Sequence, residues 1–281
     1  MAESFDWARF NPRVLARLAG IFSLIGIVTG AFDLGYVRST LVVDGNAVAT
    51  VHNILTHATL FRAGFASHLL LLLCNVPAEI LFFVLFRRVN PIVAAVILCC
   101  GLVGTAIESL DMLNAYVPLK LAAEGSSLGA FSPQQVLTLS YVSVQLQNVG
   151  LLISFVFYGV DEMLGGFLII RSGFLPRIIG VLLSLSGLCY FTQGFLSVLS
   201  PSLDARLFPY ILFPCLPGEA STALWLAIVG LNVAKWRAWP APRPVQDETA
   251  ELSIWPRWAD KEGRTNRPGS RGVIAPRGYG A

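Results

Sequence analysis

The sequence predicts an all-α fold: a polytopic integral membrane bundle of six transmembrane helices, with short outer interfacial helices and a disordered C-terminal tail. Three observations carry this. Of the 281 residues, 55% are hydrophobic and only 13% charged, where a soluble domain carries roughly 25% charged residues. Six stretches stay apolar over the ~20 residues that a helix rising ~1.5 Å per residue needs to cross a bilayer. Cations, finally, gather at alternate ends of those stretches.

The first span covers roughly residues 15–37. It is too long for a signal-peptide core, and "GAFDLGYVRST" has no small-x-small cleavage pattern, so it is expected to stay in place. The following segment, "DGNAVATVHNILTHATLF", sets Val48, Val51, Ile54, Leu55 and Ala58 in helical phase and predicts an interfacial helix. Spans two and three follow at 63–86 and 91–115, separated by Arg87 and Arg88. Ser132 and Gln135 form a capping-box pattern with Pro133 at the first helical position. A helix from 133 through span four, 148–170, would be ~57 Å long, so its start must project outside the span or break near Asn148–Gly150.

"IIRSGFLPR" then reads as a tight turn. Arg171 complements a helix C-terminus, Gly173 can take the left-handed conformation that closes it, and Pro176 suits the first turn of span five, 178–199. Span six is expected at 213–234. Three regions result: an N-terminal segment 1–12, a membrane domain 13–234 and a Pro-, Gly- and Arg-rich tail 235–281.

The net charge of +3 belongs to the tail. Residues 1–234 hold 11 Lys/Arg against 12 Asp/Glu, and residues 235–281 hold 9 against 5. Nothing in this pattern suggests a nucleic-acid surface. Arg9, Arg13, Arg17, Arg87, Arg88, Arg171, Arg177, Lys235 and Arg237 fall on one side of the spans, and Arg38, Arg62, Lys120 and Arg206 on the other. By the positive-inside rule both termini are cytoplasmic, and the expected location is a bacterial cytoplasmic (inner) membrane.

"IIRSGFLPRIIGVLLSLSGLCY" resembles the most recognisable segment of the bacterial multi-spanning family named domain of unknown function 4386. "LARLAGIFSLIGIVTGAF", "NILTHATLFRAGFASHLLLLLCNVPAEILFFVLFRRVN" and "PGEASTALWLAIVGL" fit the same pattern, so the resemblance spans about residues 13–234. It implies a similar polytopic fold and transfers no activity.

Ionisable groups within spans are costly and mark candidate sites. At ~100° per residue, His68, Asn75 and Glu79 share one face of span two. Gly101, Gly104, Thr105, Glu108 and Asp111 form a stripe on span three. Gln147, Ser154 and Asp161 repeat every seven residues on span four beside Tyr158, and Ser23, Gly26, Gly30 and Asp33 do so on span one. Such faces look toward helices rather than lipid. Counting from the cations predicts an outer polar layer of Asp33, His68, Glu108, Asp111 and Glu219, with Glu79 and Asp161 beneath it.

Those seven residues are the candidate lining of a polar cavity for a cation, a polar head group or a proton relay. Alternatively, Asp33, Asp111 and Glu219 sit in the outer interface, hydrated or paired with Arg38 and Arg62. Glu162, ~100° from Asp161, cannot share its face and is expected to pair with another helix or with Arg171.

Three scattered histidines lack zinc spacing, although His68 with Glu108 and Asp111 could form a metal site. The five cysteines read as small core residues, and no phosphate-binding glycine loop is present. No cofactor, metal or catalytic residue is expected. The leading function class is a non-enzymatic small-solute- or lipid-binding, transport-like or membrane-organising protein with a carboxylate-lined interior. The alternative is an intramembrane lipid or peptide hydrolase using buried carboxylates and His68. Membrane lipids are the expected partners, and a homo-oligomer is compatible with the sequence.

Overall fold

The computed structural model describes residues 11–124 and 131–240. Six helices are long and apolar enough to cross a membrane. We number the helices α1 (Pro12–Leu41), α2 (Ala47–Thr56), α3 (Ala58–Phe86), α4 (Pro91–Glu124), α5 (Pro133–Ser172), α6 (Arg177–Leu199), α7 (Pro201–Leu207), α8 (Cys215–Ile228) and α9 (Val233–Ala238).

Short polar side chains start most of these helices by taking up the free N–H groups of the first turn. Asn11, Asn46 and Asn232 cap α1, α2 and α9. The Asn90 side chain accepts from the N–H groups of Ile92 and Val93 ahead of α4. Ser132 and Gln135 complete the expected capping box at α5, with Pro133 in its first turn.

The six long helices close into a ring in chain order: α1 packs on α3, α3 on α4, α4 on α5, α5 on α6, α6 on α8, and α8 back on α1. Consecutive members run antiparallel. One end of the ring collects the start of α1, the α3–α4 and α5–α6 turns, and α9; we term it the terminal end. It is filled by an apolar cluster that includes Leu15, Leu85, Phe86, Leu168, Phe174 and Trp236. Trp236 donates from Nε1 to the Leu85 carbonyl at 2.9 Å and lies under the Arg88 guanidinium. The α5–α6 turn closes as expected on Gly173, at φ 64°, and its Phe174 carbonyl accepts from Asn232 N–H at 3.0 Å. The opposite, loop end carries α2, α7 and a smaller cluster around Val37, Ile54, Phe61 and Val144.

Of the expectations about element bounds, the choice between a projecting and a broken α5 is settled in favour of projection, and the end of span six is corrected. Helix α5 is one unbroken helix of 40 residues, about 60 Å long, so the excess over one span projects at the loop end, where α2 packs against it. Span six, expected to reach residue 234, stops at Ile228 because the chain reverses at Gly230, φ 77°, and restarts in α9. Of the tail, residues 235–240 are described; its predicted disorder from residue 241 on, and most of the N-terminal segment, lie outside the described residues.

The distribution of polarity is the reverse of a water-soluble fold. Val28, Leu73, Leu110, Leu113, Ile178 and Val198 are 61% to 75% exposed, whereas Asp33, His68, Glu108, Gln147, Asp161 and Gln193 are buried. An outer wall of this kind suits hydrocarbon, and it fits the six-span membrane bundle read from the sequence.

Candidate binding cavity inside the ring

The site begins where α1 departs from α-helical geometry. Residues Ala31–Arg38 form a π-helical stretch, a local widening that frequently marks functional positions. It carries Asp33 and Arg38, and Arg38 Nε donates to Asp33 Oδ2 at 3.1 Å. The same oxygen meets His68 Nδ1 of α3 at 2.8 Å. On its other side the imidazole faces α4, with Nε2 3.1 Å from Glu108 Oε1 but out of line for a hydrogen bond. Glu108 Oε2 accepts from Tyr158 Oη of α5 at 2.8 Å, and the Thr105 hydroxyl lies 3.3 Å from that phenol. One polar chain thus links four helices.

Two pairs of carboxyl groups lie alongside it. Glu79 of α3 is within hydrogen-bonding reach of Asp161 of α5, and Glu162 of α5 is within reach of Glu219 of α8. An ionised carboxylate can only accept, so each contact is a hydrogen bond only with a proton on one partner. From α6, Ser186 Oγ donates to Glu162 Oε2 and Tyr190 Oη donates to Glu219 Oε1 at 2.5 Å.

Glycines on neighbouring helices make room for these groups. A methyl group at Gly64 would lie 2.6 Å from Asp33 Oδ1, one at Gly101 2.5 Å from the Glu79 carboxyl carbon, and one at Gly104 2.8 Å from the Tyr158 ring. A helix lacking a side chain at the facing position lets a polar group lie against its backbone, away from lipid.

The carboxyl pairs border a cavity of about 470 Å³ that receives side chains from all six ring helices. Glu79, Glu108, Asp161, Glu162 and Glu219 line it, together with Tyr158 and Tyr190. A smaller hollow of about 160 Å³ shares Glu79, Asp161, Glu162 and Glu219. At the loop end a vestibule of about 570 Å³ is bordered by Asp33, Arg38, Asp204 and Gln193. Leu34, Leu151, Phe155 and Leu212 border both vestibule and inner cavity and form an apolar collar between them.

Of the seven candidate residues, Asp33, His68 and Glu108 meet directly, and Glu79 meets Asp161. Two assignments change. Glu219 belongs to the deeper group, because its carboxyl packs against Glu162 and Tyr190. Asp111 turns aside: it accepts from Asn114 Nδ2 at 2.9 Å and lies over Gly150, where an added methyl would fall 2.3 Å from its carboxyl carbon. It therefore joins neither carboxyl pair, nor a metal set with His68 and Glu108. Among the described residues, no group of three His, Cys, Asp or Glu side chains is disposed to hold a metal ion. Arg38, not Arg62, meets Asp33, and Glu162 pairs with Ser186 and Glu219 instead of Arg171. The sequence reading leaves out Tyr190 and takes the serines of the 184–187 stretch as small packing residues, although Ser186, Tyr190 and Gln193 follow a spacing of four and three that sets them on one face of α6.

The fold and its interior define a polytopic α-helical membrane protein with an acid-lined cavity. The chain belongs to the family described as Domain of unknown function (DUF4386), whose family model matches residues 18–230. No match was found among curated proteins or among solved structures.

Proposed function

We propose that the protein is a non-enzymatic, transport-like cation-binding protein of the bacterial cytoplasmic membrane, with both termini cytoplasmic, which exchanges protons for a cation within the ring. The observation that carries this reading is the meeting of Glu79, Asp161, Glu162 and Glu219 around one cavity. Two contacting carboxyl pairs bordering one cavity cannot all remain ionised, since like charges within each pair repel strongly in a low-dielectric interior. Either protons or a cation must neutralise them, and one can substitute for the other.

The surroundings support this. Asp33 and Glu108 flank His68, and Arg38 is tied to Asp33, so neither side chain is placed to neutralise the inner carboxyl pairs. A hydrolase mechanism with His68 as general base would need a ring nitrogen open to substrate or water, yet the ring is 1% exposed and lies between Asp33 and Glu108. The cation-rich terminal end supports the cytoplasmic orientation by the positive-inside rule.

The test uses purified protein in proteoliposomes that enclose a pH-sensitive dye. A gradient of choline or tetramethylammonium should move the luminal pH, and Asp161→Asn or Glu162→Gln should abolish the movement while the protein still inserts and folds. If neither organic cation moves luminal pH, or if both variants behave as the parent, the reading fails.

A further inference from the structure

We propose that the loop-end vestibule is a distinct binding site for an amphipathic ammonium compound, a protonated amine carried on an apolar body. This rests on the cation reading above and names the chemistry of the solute.

Gln193 is 1% exposed and lines the vestibule. Its Nε2 donates to Asp204 Oδ1 at 2.7 Å. That contact fixes the amide orientation, because a carboxylate takes only a donor. The other end of the amide, Oε1, is buried with no hydrogen-bond partner among the described residues. A buried acceptor of this kind is costly to leave unpaired, and an N–H or O–H from an occupant would satisfy it.

Neighbouring polar groups repeat the asymmetry. Asn148 Nδ2 donates to Gln145 Oε1 at 3.2 Å, Gln147 Nε2 points to Met112 Sδ at 3.7 Å, and Arg38 Nε donates to Asp33. Each of these contacts holds one donor of its group against protein, while the carboxylates of the wall can only accept. Its charge has the same sense: Asp33, Asp44 and Asp204 border the vestibule with one cation, Arg38. A donor bearing positive charge fits both features. The remaining wall is apolar and partly aromatic, including Phe65, Phe155 and Phe208, which suits a hydrocarbon or aryl body and offers ring faces to a cation.

The full chain in lipid nanodiscs, titrated calorimetrically with phenethylammonium, phenethyl alcohol and phenylpropionate, tests this, with empty nanodiscs as the blank. The three probes share one apolar body and differ in charge and donor capacity. The amine should bind saturably, the alcohol on the order of tenfold more weakly for want of a charge-assisted contact, and the acid should not bind. Gln193→Leu, close in volume, should weaken amine binding by a similar factor. Asp204→Asn, on a short helix at the loop end, should do likewise without touching the buried core. Equal binding of amine and alcohol, no saturable amine binding, or amine binding indifferent to both substitutions would overturn the proposal. Amine binding that survives both but disappears in Glu162→Gln would overturn the vestibule and leave the inner-cavity reading intact. Loss of cation-driven pH movement with vestibule binding preserved would do the opposite.

Discussion

Asp33 shares a single oxygen between His68 at 2.8 Å and Arg38 at 3.1 Å in a setting that is 4% exposed. Removing one partner of such a buried set strands the others. Asp33→Asn should therefore lower stability by about 3–5 kcal/mol, read as an earlier unfolding transition in detergent, and Arg38→Gln in the same chain should restore part of it. Glu162 shows why adjacent acids are tolerated in an apolar run. It and Asp161 differ by ~100° in helical phase, yet both line the inner cavity, because an opening fed by six helices is wide enough to accept two neighbouring positions of α5. Helical phase in the sequence identified Asp161 and not Glu162, since a one-helix wheel contains no information about the width of the opening it faces. Asp111 is the converse case. It shares the stripe of Glu108 but meets Gly150, and only the docking of α5 decides that. Gly150→Ala should destabilise by about 1–3 kcal/mol through overpacking, and Asp111→Ala in the same background should recover much of the loss.

The α5–α6 pair is built on glycines seven residues apart: Gly159 and Gly166 on one helix, Gly180 and Gly187 on the other. A methyl at Gly187 would lie 2.6 Å from the Gly159 carbonyl oxygen, and one at Gly166 2.3 Å from that of Gly180. Here the obstacle is backbone, which cannot swing away as a side chain does. Gly187→Ala should push the helices apart and cost about 1–3 kcal/mol, while Gly35→Ala, which meets nothing within 4 Å, should cost little. Helix existence was readable from apolar run length, and the capping box and Gly173 turn from their local residue types. The end of α8 was not. Residues 229–234 are apolar enough to extend a span, and the contact that folds them back, Asn232 to the Phe174 carbonyl, is made by residues 58 positions apart.

At the scale of the whole molecule, ring closure was beyond the sequence, because it depends on α1 meeting α8, elements separated by the length of the chain. The proposed orientation can be checked in a background lacking the five native cysteines. Cysteine placed at Asn46 or Ser202 should react with a membrane-impermeant maleimide added to intact cells, and cysteine at Asn90 or Gly173 should react only after lysis. The opposite pattern would invert the topology. The terminal end, meanwhile, has a consequence for traffic. Phe86, Phe174 and Trp236 pack across it as a floor, and one indole latches that floor by its bond to the Leu85 carbonyl. Under the exchange proposed above, a route through to the cytoplasmic side would require that latch to open, where the chain folds back on itself.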